Sequence, residues 1–140
     1  MFGSLENLTP DNDAYRRVLF TTKQQQLVVM SLEPGQEIGM EVHPHTTQFI
    51  RIEGGRALVI TDQPLIDGDD DVDADCVNKE SNAKWFTATL EEQGFVMIPA
   101  GTRHNIVNPS RHHRLHLSTL YAPPQHAPDL VQMDKPLEDD

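Results

Sequence analysis

The amino-acid sequence predicts an all-β protein, built as an antiparallel sandwich or barrel. Short segments rich in branched and aromatic residues recur along the chain, and Gly and Pro mark most of the gaps between them. This spacing is typical of strands joined by tight turns. No stretch before Tyr121 keeps the period of an amphipathic helix. The predicted strands cover residues 15–21, 25–32, 38–43, 47–53, 56–61, 84–90, 95–98, 103–107 and 113–121.

The chain length predicts one domain with two irregular stretches. A chain of 140 residues has the usual size of a single domain, so we expect one domain over residues 1–140. Residues 62–83 form a polar insertion with an acidic run, which predicts a solvated loop. Residues 122–140 contain several prolines. We expect this tail to begin extended along the barrel, to fray at its end and to carry little chemistry.

Composition excludes several classes of partner. The chain has 22 acidic residues against 11 Lys and Arg, with a net charge of -11, so binding to nucleic acid or to anionic membranes is not expected. Residues 1–13 lack the pattern of an export signal, and no segment approaches the ~20 apolar residues of a membrane span. We expect a cytoplasmic protein. Cys76 is the single cysteine, so a metal ion would need nitrogen and oxygen ligands.

Four polar side chains are predicted to meet inside the barrel. Glu41 and His43 are two residues apart on a predicted strand, so they share a face. After a turn, Gln48 begins the next strand on the same face as Ile50 and Ile52, which marks that face as inward. If these two strands pair as a hairpin, Gln48 enters the interior beside Glu41 and His43. His104 follows a Pro-Ala-Gly turn and begins its own strand.

A divalent transition metal ion is the simplest explanation of such a cluster. A buried carboxylate, two imidazoles and an amide are costly together unless one cation accepts their lone pairs. Two His and one carboxylate form the ligand set of open-sided non-haem iron sites, and Mn, Ni, Co, Cu and Zn also suit such mixed ligands. The amide would add a neutral oxygen and leave room for water or substrate.

Two motifs carry a resemblance to a known family. The first contains Gly35, Glu41, His43, Gln48 and Gly55, and the second contains Pro99, Gly101, His104 and Asn108. Their spacings resemble the paired motifs of the cupin superfamily, which run Gly-His-His-Glu-Gly and Gly-Pro-Gly-His-Asn. The match covers residues 35–108. It implies a double-stranded β-helix, or jelly-roll barrel, with a metal bound by Glu41, His43, Gln48 and His104.

The sequence departs from the common cupin pattern at three positions. Glu41 stands where a His is usual, Gln48 stands where a Glu is usual, and Gly94 lies one residue closer to Pro99 than in the common second motif. The pattern resembles a bacterial subgroup of small cupins with a Glu and a His just before a Gln-Phe strand. That subgroup is often labelled by similarity to mannose-6-phosphate isomerase.

Several alternatives remain open from the sequence. The barrel could have lost its metal, and His45 is a rival ligand, although Pro44 is expected to end the strand before it. His112, His113 and His116 are expected at the surface or in the core. Arg51 and Arg103 could meet an anionic substrate, but both are predicted to point outward, which favours a role in solvating the surface. A calcium loop would use Asp69, Asp71, Asp73 and Glu80, but Ala74 stands where its turn needs Gly.

The resemblance leaves two hypotheses for function. The first is a metal-dependent enzyme of oxygenase or isomerase type, which would act on a small oxygen-bearing molecule such as a sugar or a diketone. The second is a non-catalytic module that binds a small ligand or uses its metal for stability. The apolar residues Met40, Val42 and Phe49 are predicted to face outward and favour a homodimer.

Overall fold

A computed structural model describes residues 1–65 and 84–137, and these fold almost entirely into strands. One short helix precedes the strands. The elements are α1 Leu5–Leu8, β1 Arg16–Thr21, β2 Gln26–Leu32, β3 Thr47–Gly54, β4 Ala57–Thr61, β5 Phe86–Leu90, β6 Phe95–Ile98, β7 His104–Val107, β8 Leu115–Ala122 and β9 Val131–Gln132.

The strands form two antiparallel sheets that enclose one apolar core. The larger sheet has the order β6-β3-β8-β2-β1-β9 and the smaller has the order β5-β4-β7. Burial alternates along β3 and β4, as expected where one face of each sheet packs on the core. The core contains aliphatic residues from both sheets, including Ile50, Ile52, Val59, Ile106 and Leu117. The predicted all-β class is confirmed.

The strand predictions agree with the structure within two residues, except over residues 38–43. This segment forms no strand: Gly39 has a φ of +102°, and Pro44 follows the segment. Its contacts are isolated bridges to β7, at Glu37↔Val107 and Glu41↔His104. The predicted hairpin with β3 is therefore wrong, because β3 already pairs with β6 on one side and with β8 on the other.

The tail packs against the larger sheet. Its strand β9 pairs with β1 through Arg16↔Gln132 and Arg17↔Val131, which adds an edge strand that the sequence did not predict. Most of the polar insertion, including Cys76 and the positions of the suggested calcium loop, lies outside the described residues. Within residues 1–65 and 84–137, no helix has the length and hydropathy to cross a bilayer.

Candidate metal centre

Two strands from different sheets and one segment between strands bring the predicted ligands together. The Glu41 N–H donates to the His104 carbonyl at 2.8 Å, and the His104 N–H donates to the Glu41 carbonyl at 2.9 Å. The Gly101 N–H, in the turn before β7, donates to the His43 carbonyl at 2.9 Å. These bonds tie the segment of Glu41 and His43 to the smaller sheet. Gln48 comes from β3 of the larger sheet.

The candidate ligand atoms are spaced as ligands of one ion would be. One ligand atom from each of Glu41, His43 and His104 lies within 4.8 Å of the other two. Glu41 Oε2 is 3.2 Å from His43 Nε2 and 3.9 Å from His104 Nε2. Ligands about 2.1 Å from an octahedral ion are about 3.0 Å apart when adjacent and about 4.2 Å apart when opposite. The three residues could therefore hold a metal ion.

Gln48 presents a further oxygen to this cluster. Its Oε1 lies 3.1 Å from His104 Nε2. The His104 Nδ1–H donates to the Thr102 carbonyl at 2.9 Å, so the neutral ring has a lone pair at Nε2. Burial lowers the pKa of His104, although the Thr102 bond and the Glu41 charge oppose this, and the lowered pKa favours that neutral ring. Two acceptor atoms at this distance repel each other, and a cation would satisfy both.

Burial makes this cluster costly without a common partner. Gln48 is 2% exposed and His104 is 3% exposed. His43 Nε2 is buried and has no hydrogen-bond partner among the described residues. Buried polar atoms of this kind normally have a partner. The donor set of two imidazoles, a carboxylate and an amide oxygen suits a divalent transition metal.

The other sequence candidates lie apart from this cluster. His45 is exposed, as are Arg103, His112 and His113. Arg51 forms an ion pair with Glu53. Among the described residues, only Glu41, His43 and His104 form a cluster of metal-binding type. The Asn of the second motif, Asn108, has a structural role, since its amide donates to the carbonyls of Leu32, Glu33 and His113.

Three residues at the site were missed by reasoning from the sequence. Arg16 is 3% exposed, and its Nη2 lies 4.0 Å from Glu41 Oε1. The Tyr121 ring lies edge-on to His43, with centroids 5.8 Å apart, and edge-on to His126 at 5.0 Å. Strand alternation could have revealed Arg16, because it shares a face with the core residue Val18. No local pattern marks His126, which lies in the tail.

An apolar cavity lies between the two sheets, where β5 and β6 face each other. It has a volume of about 250 Å³ and is lined by residues of β4, β5 and β6, including Thr61, Phe86 and Val96. One lining residue, Thr61, is the cross-strand neighbour of His104. The cavity has the size for a small molecule.

Two sequence relatives cover most of the chain. It is 38% identical over 128 residues to uncharacterized protein L612 of Acanthamoeba polyphaga mimivirus, and this alignment covers 91% of this chain and 68% of L612. It is 32% identical over 123 residues to uncharacterized protein YrkC of Bacillus subtilis, and this alignment covers 88% of this chain and 57% of YrkC. The chain thus spans little more than half of YrkC. No family model matches the chain.

Solved structures share the fold. BH2720 from Bacillus halodurans superposes with a TM-score of 0.78 at 35% identity, over 96% of this chain and 89% of that chain. The Cnp3 cupin domain of Schizosaccharomyces pombe superposes with a TM-score of 0.62 at 15% identity, over 83% of this chain and 67% of that chain. The second likeness concerns the fold alone and agrees with the predicted jelly roll.

Proposed function

We propose that this chain, which shares its fold with a solved cupin domain, is a cupin and a metal-dependent enzyme that acts on a small oxygen-bearing molecule. The observation that carries the proposal is the spacing of Glu41, His43 and His104, whose ligand atoms lie within 4.8 Å of one another in a largely buried site. Two imidazoles and one carboxylate leave coordination positions open. A bound divalent ion would supply Lewis acidity or a site for oxygen.

The protein's own residues would then orient the ion and the substrate. The Thr102 carbonyl holds the His104 ring by its Nδ1–H, so Nε2 is directed toward Gln48 and Glu41. Holding the second ring nitrogen in this way fixes both the tautomer and the orientation of a ligand imidazole. The Gln48 amide is held by its Nε2–H, which donates to Thr119 Oγ1 at 3.0 Å. Both side chains are thereby pre-oriented, which lowers the entropy cost of binding an ion.

Metal analysis of the purified protein tests this proposal. We expect about one equivalent of a divalent transition metal after dialysis, and we expect loss of most of it in His104→Gln. His45→Gln is the matched control, because His45 is exposed and lies outside the cluster. Equal metal content in His104→Gln and the wild type would contradict the site.

Turnover is tested separately from metal binding. Oxygen consumption and product formation would be followed with panels of diketones, phenols and sugars. A substrate whose turnover requires Glu41 and His104 would support the enzyme. Tight metal without turnover of any of these would favour the alternative, a cupin that binds a small ligand or uses its metal for stability.

We also propose that the protein forms a homodimer through exposed apolar side chains. Met40 and Val42 are each 48% exposed, and the edge strand β6 exposes Phe95 by 62% and Met97 by 52%. The Phe95 ring also contacts Phe49 at a centroid distance of 5.5 Å. Exposed apolar groups on an edge strand favour pairing with a second copy. Light scattering should show a dimer that Phe95→Asp weakens; a wild-type monomer at micromolar concentration would refute the dimer.

A further inference from the structure

A buried arginine lies beside the carboxylate of the candidate metal centre. Arg16 pairs with Met30 across β1 and β2, and paired residues on antiparallel strands share a face. Met30 belongs to the core, so the Arg16 side chain enters the barrel, where it is 3% exposed and its Nη2 lies 4.0 Å from Glu41 Oε1. A guanidinium keeps its charge at any physiological pH. A permanent cation therefore stands at the edge of the metal centre.

The tail positions both this arginine and a histidine. Arg16 Nη1 donates to Gln132 Oε1 at 2.5 Å, next to the pairing of β9 with β1. Further back in the tail, Gln26 clamps the backbone of His126. The His126 N–H donates to Gln26 Oε1 at 2.9 Å, and Gln26 Nε2 donates to the His126 carbonyl at 2.8 Å. Since Gln26 is fully buried, this clamp holds His126 against the end of the barrel.

The His126 ring has a polar atom that nothing in the described part of the chain uses. Its Nε2 is buried and has no hydrogen-bond partner among residues 1–65 and 84–137. The ring is edge-on to Tyr121, and the charges of Arg16, Glu41 and His43 all act on it. A buried nitrogen without a partner is unfavourable until a ligand supplies one. His126 therefore belongs to the same end of the barrel as the metal centre.

We infer that Arg16 and His126 hold the carboxylate of a small anionic substrate beside the metal ion. This inference rests on the proposed metal centre and names the substrate class. A guanidinium suits a carboxylate because its N–H groups match the two oxygens. Glu41 has one negative charge, whereas Arg16 has one positive charge and a divalent ion would add two more. An anionic ligand would offset part of this excess positive charge and so lower the electrostatic cost of burying it. The neutral imidazole of His126 would add one hydrogen bond to the carboxylate.

Binding of glycolate and glycolamide to the Co(II)-loaded protein tests this inference. The two probes have almost the same size, but only glycolate is charged, and ligand binding changes the visible absorption of Co(II). We expect wild-type protein to bind glycolate about tenfold or more tightly than glycolamide, since hydrogen bonds between charged groups are the stronger ones. Arg16→Gln should reduce this preference, and the part that remains would come from the charge of the ion. His126→Gln should weaken both probes by a similar factor.

The neighbouring arginine supplies a matched control. Arg17 lies on the opposite face of β1 and donates from its Nε to Asn12 Oδ1 at 3.0 Å, so Arg17→Gln should bind glycolate as the wild type does. Circular dichroism would check that the variants are folded. If Arg16→Gln does not fold, the test uses Arg16→Lys, which keeps the charge. Comparison of the two probes in wild-type protein and in this variant then tests the carboxylate site.

The outcomes separate the two proposals. Bound Co(II) with equal affinity for the two probes in wild-type protein refutes the carboxylate site and leaves the metal centre standing. The same holds if Arg16→Gln keeps the whole of the wild-type preference for glycolate. Absence of a Co(II) spectrum in wild-type protein refutes the metal centre itself, and the carboxylate site falls with it.

Discussion

Replacement of Gln48 separates a metal-binding amide from a purely structural one. The side chain is 2% exposed, its Oε1 lies 3.1 Å from His104 Nε2 and its Nε2–H donates to Thr119 Oγ1. Without a metal, rotation of the amide by about 180° would let it donate to His104 and accept from the Thr119 hydroxyl. The first arrangement satisfies the amide oxygen when a cation is bound, and the second satisfies it without one. The response of stability to metal distinguishes the two.

The size of that response follows from linkage. An ion present at 100 times its dissociation constant stabilises the folded state by about 2.7 kcal/mol. For a chain of this length, each 1 kcal/mol raises Tm by about 4 °C, so the wild-type shift should be about 10 °C. Loss of one ligand that weakens affinity about tenfold removes about 1.4 kcal/mol. Gln48→Leu should therefore show about half of the wild-type shift.

Gln48→Glu should act in the opposite direction. A second carboxylate beside Glu41 would be buried near a like charge, which destabilises the metal-free protein. The same carboxylate attracts a divalent ion more strongly than an amide oxygen does, so the metal-induced shift should exceed that of the wild type.

Calorimetry in EDTA and in a fixed concentration of Mn(II) measures all three shifts, with His45→Gln as the control outside the cluster. If Gln48→Leu keeps the whole wild-type shift and Gln48→Glu does not enlarge it, Gln48 is not a ligand.

Two further predictions concern stability. Burial, followed by the Arg16 charge, lowers the pKa of His126 to about 4 from its usual 6.5, so the folded state binds fewer protons than the unfolded state between those values. The free energy of unfolding of the metal-free protein should therefore fall as pH falls from 6.5 to about 4, by on the order of 1 kcal/mol after allowance for partial exposure. Urea titrations at pH 7 and pH 4 measure this loss, and it should be smaller in His126→Gln. At Gly55, φ is +87° and an added Cβ would lie 2.8 Å from the Arg114 carbonyl oxygen. Gly55→Ala should cost about 2 kcal/mol or more, whereas Gly35→Ala, with a φ of +76° and nothing within 4 Å of the added atom, should cost about 1 kcal/mol by the same titration.

Much of the barrel could be predicted because strand alternation and turn residues are local signals. The inward face of β3, with Gln48, Ile50 and Ile52, is buried as its alternation indicates. Pairing between distant segments has no such signal. The sequence therefore could not show that the segment of Glu41 pairs with β7, or that the tail carries His126 to the end of the barrel. Those contacts depend on which strand edges the rest of the fold leaves available.

The backbone pairing of residues 38–43 with β7 brings two candidate ligands together directly. A hairpin with β3 would have joined Glu41 and His43 to Gln48 through a turn and left His104 to arrive independently. Instead, the reciprocal backbone bonds between Glu41 and His104, at 2.8 and 2.9 Å, fix the carboxylate and one imidazole as cross-strand neighbours. Directly opposed residues with two such bonds have Cα atoms about 5.5 Å apart. The separation of these two candidate ligands is thus set by the backbone, so a metal ion would need only side-chain adjustment to bind both.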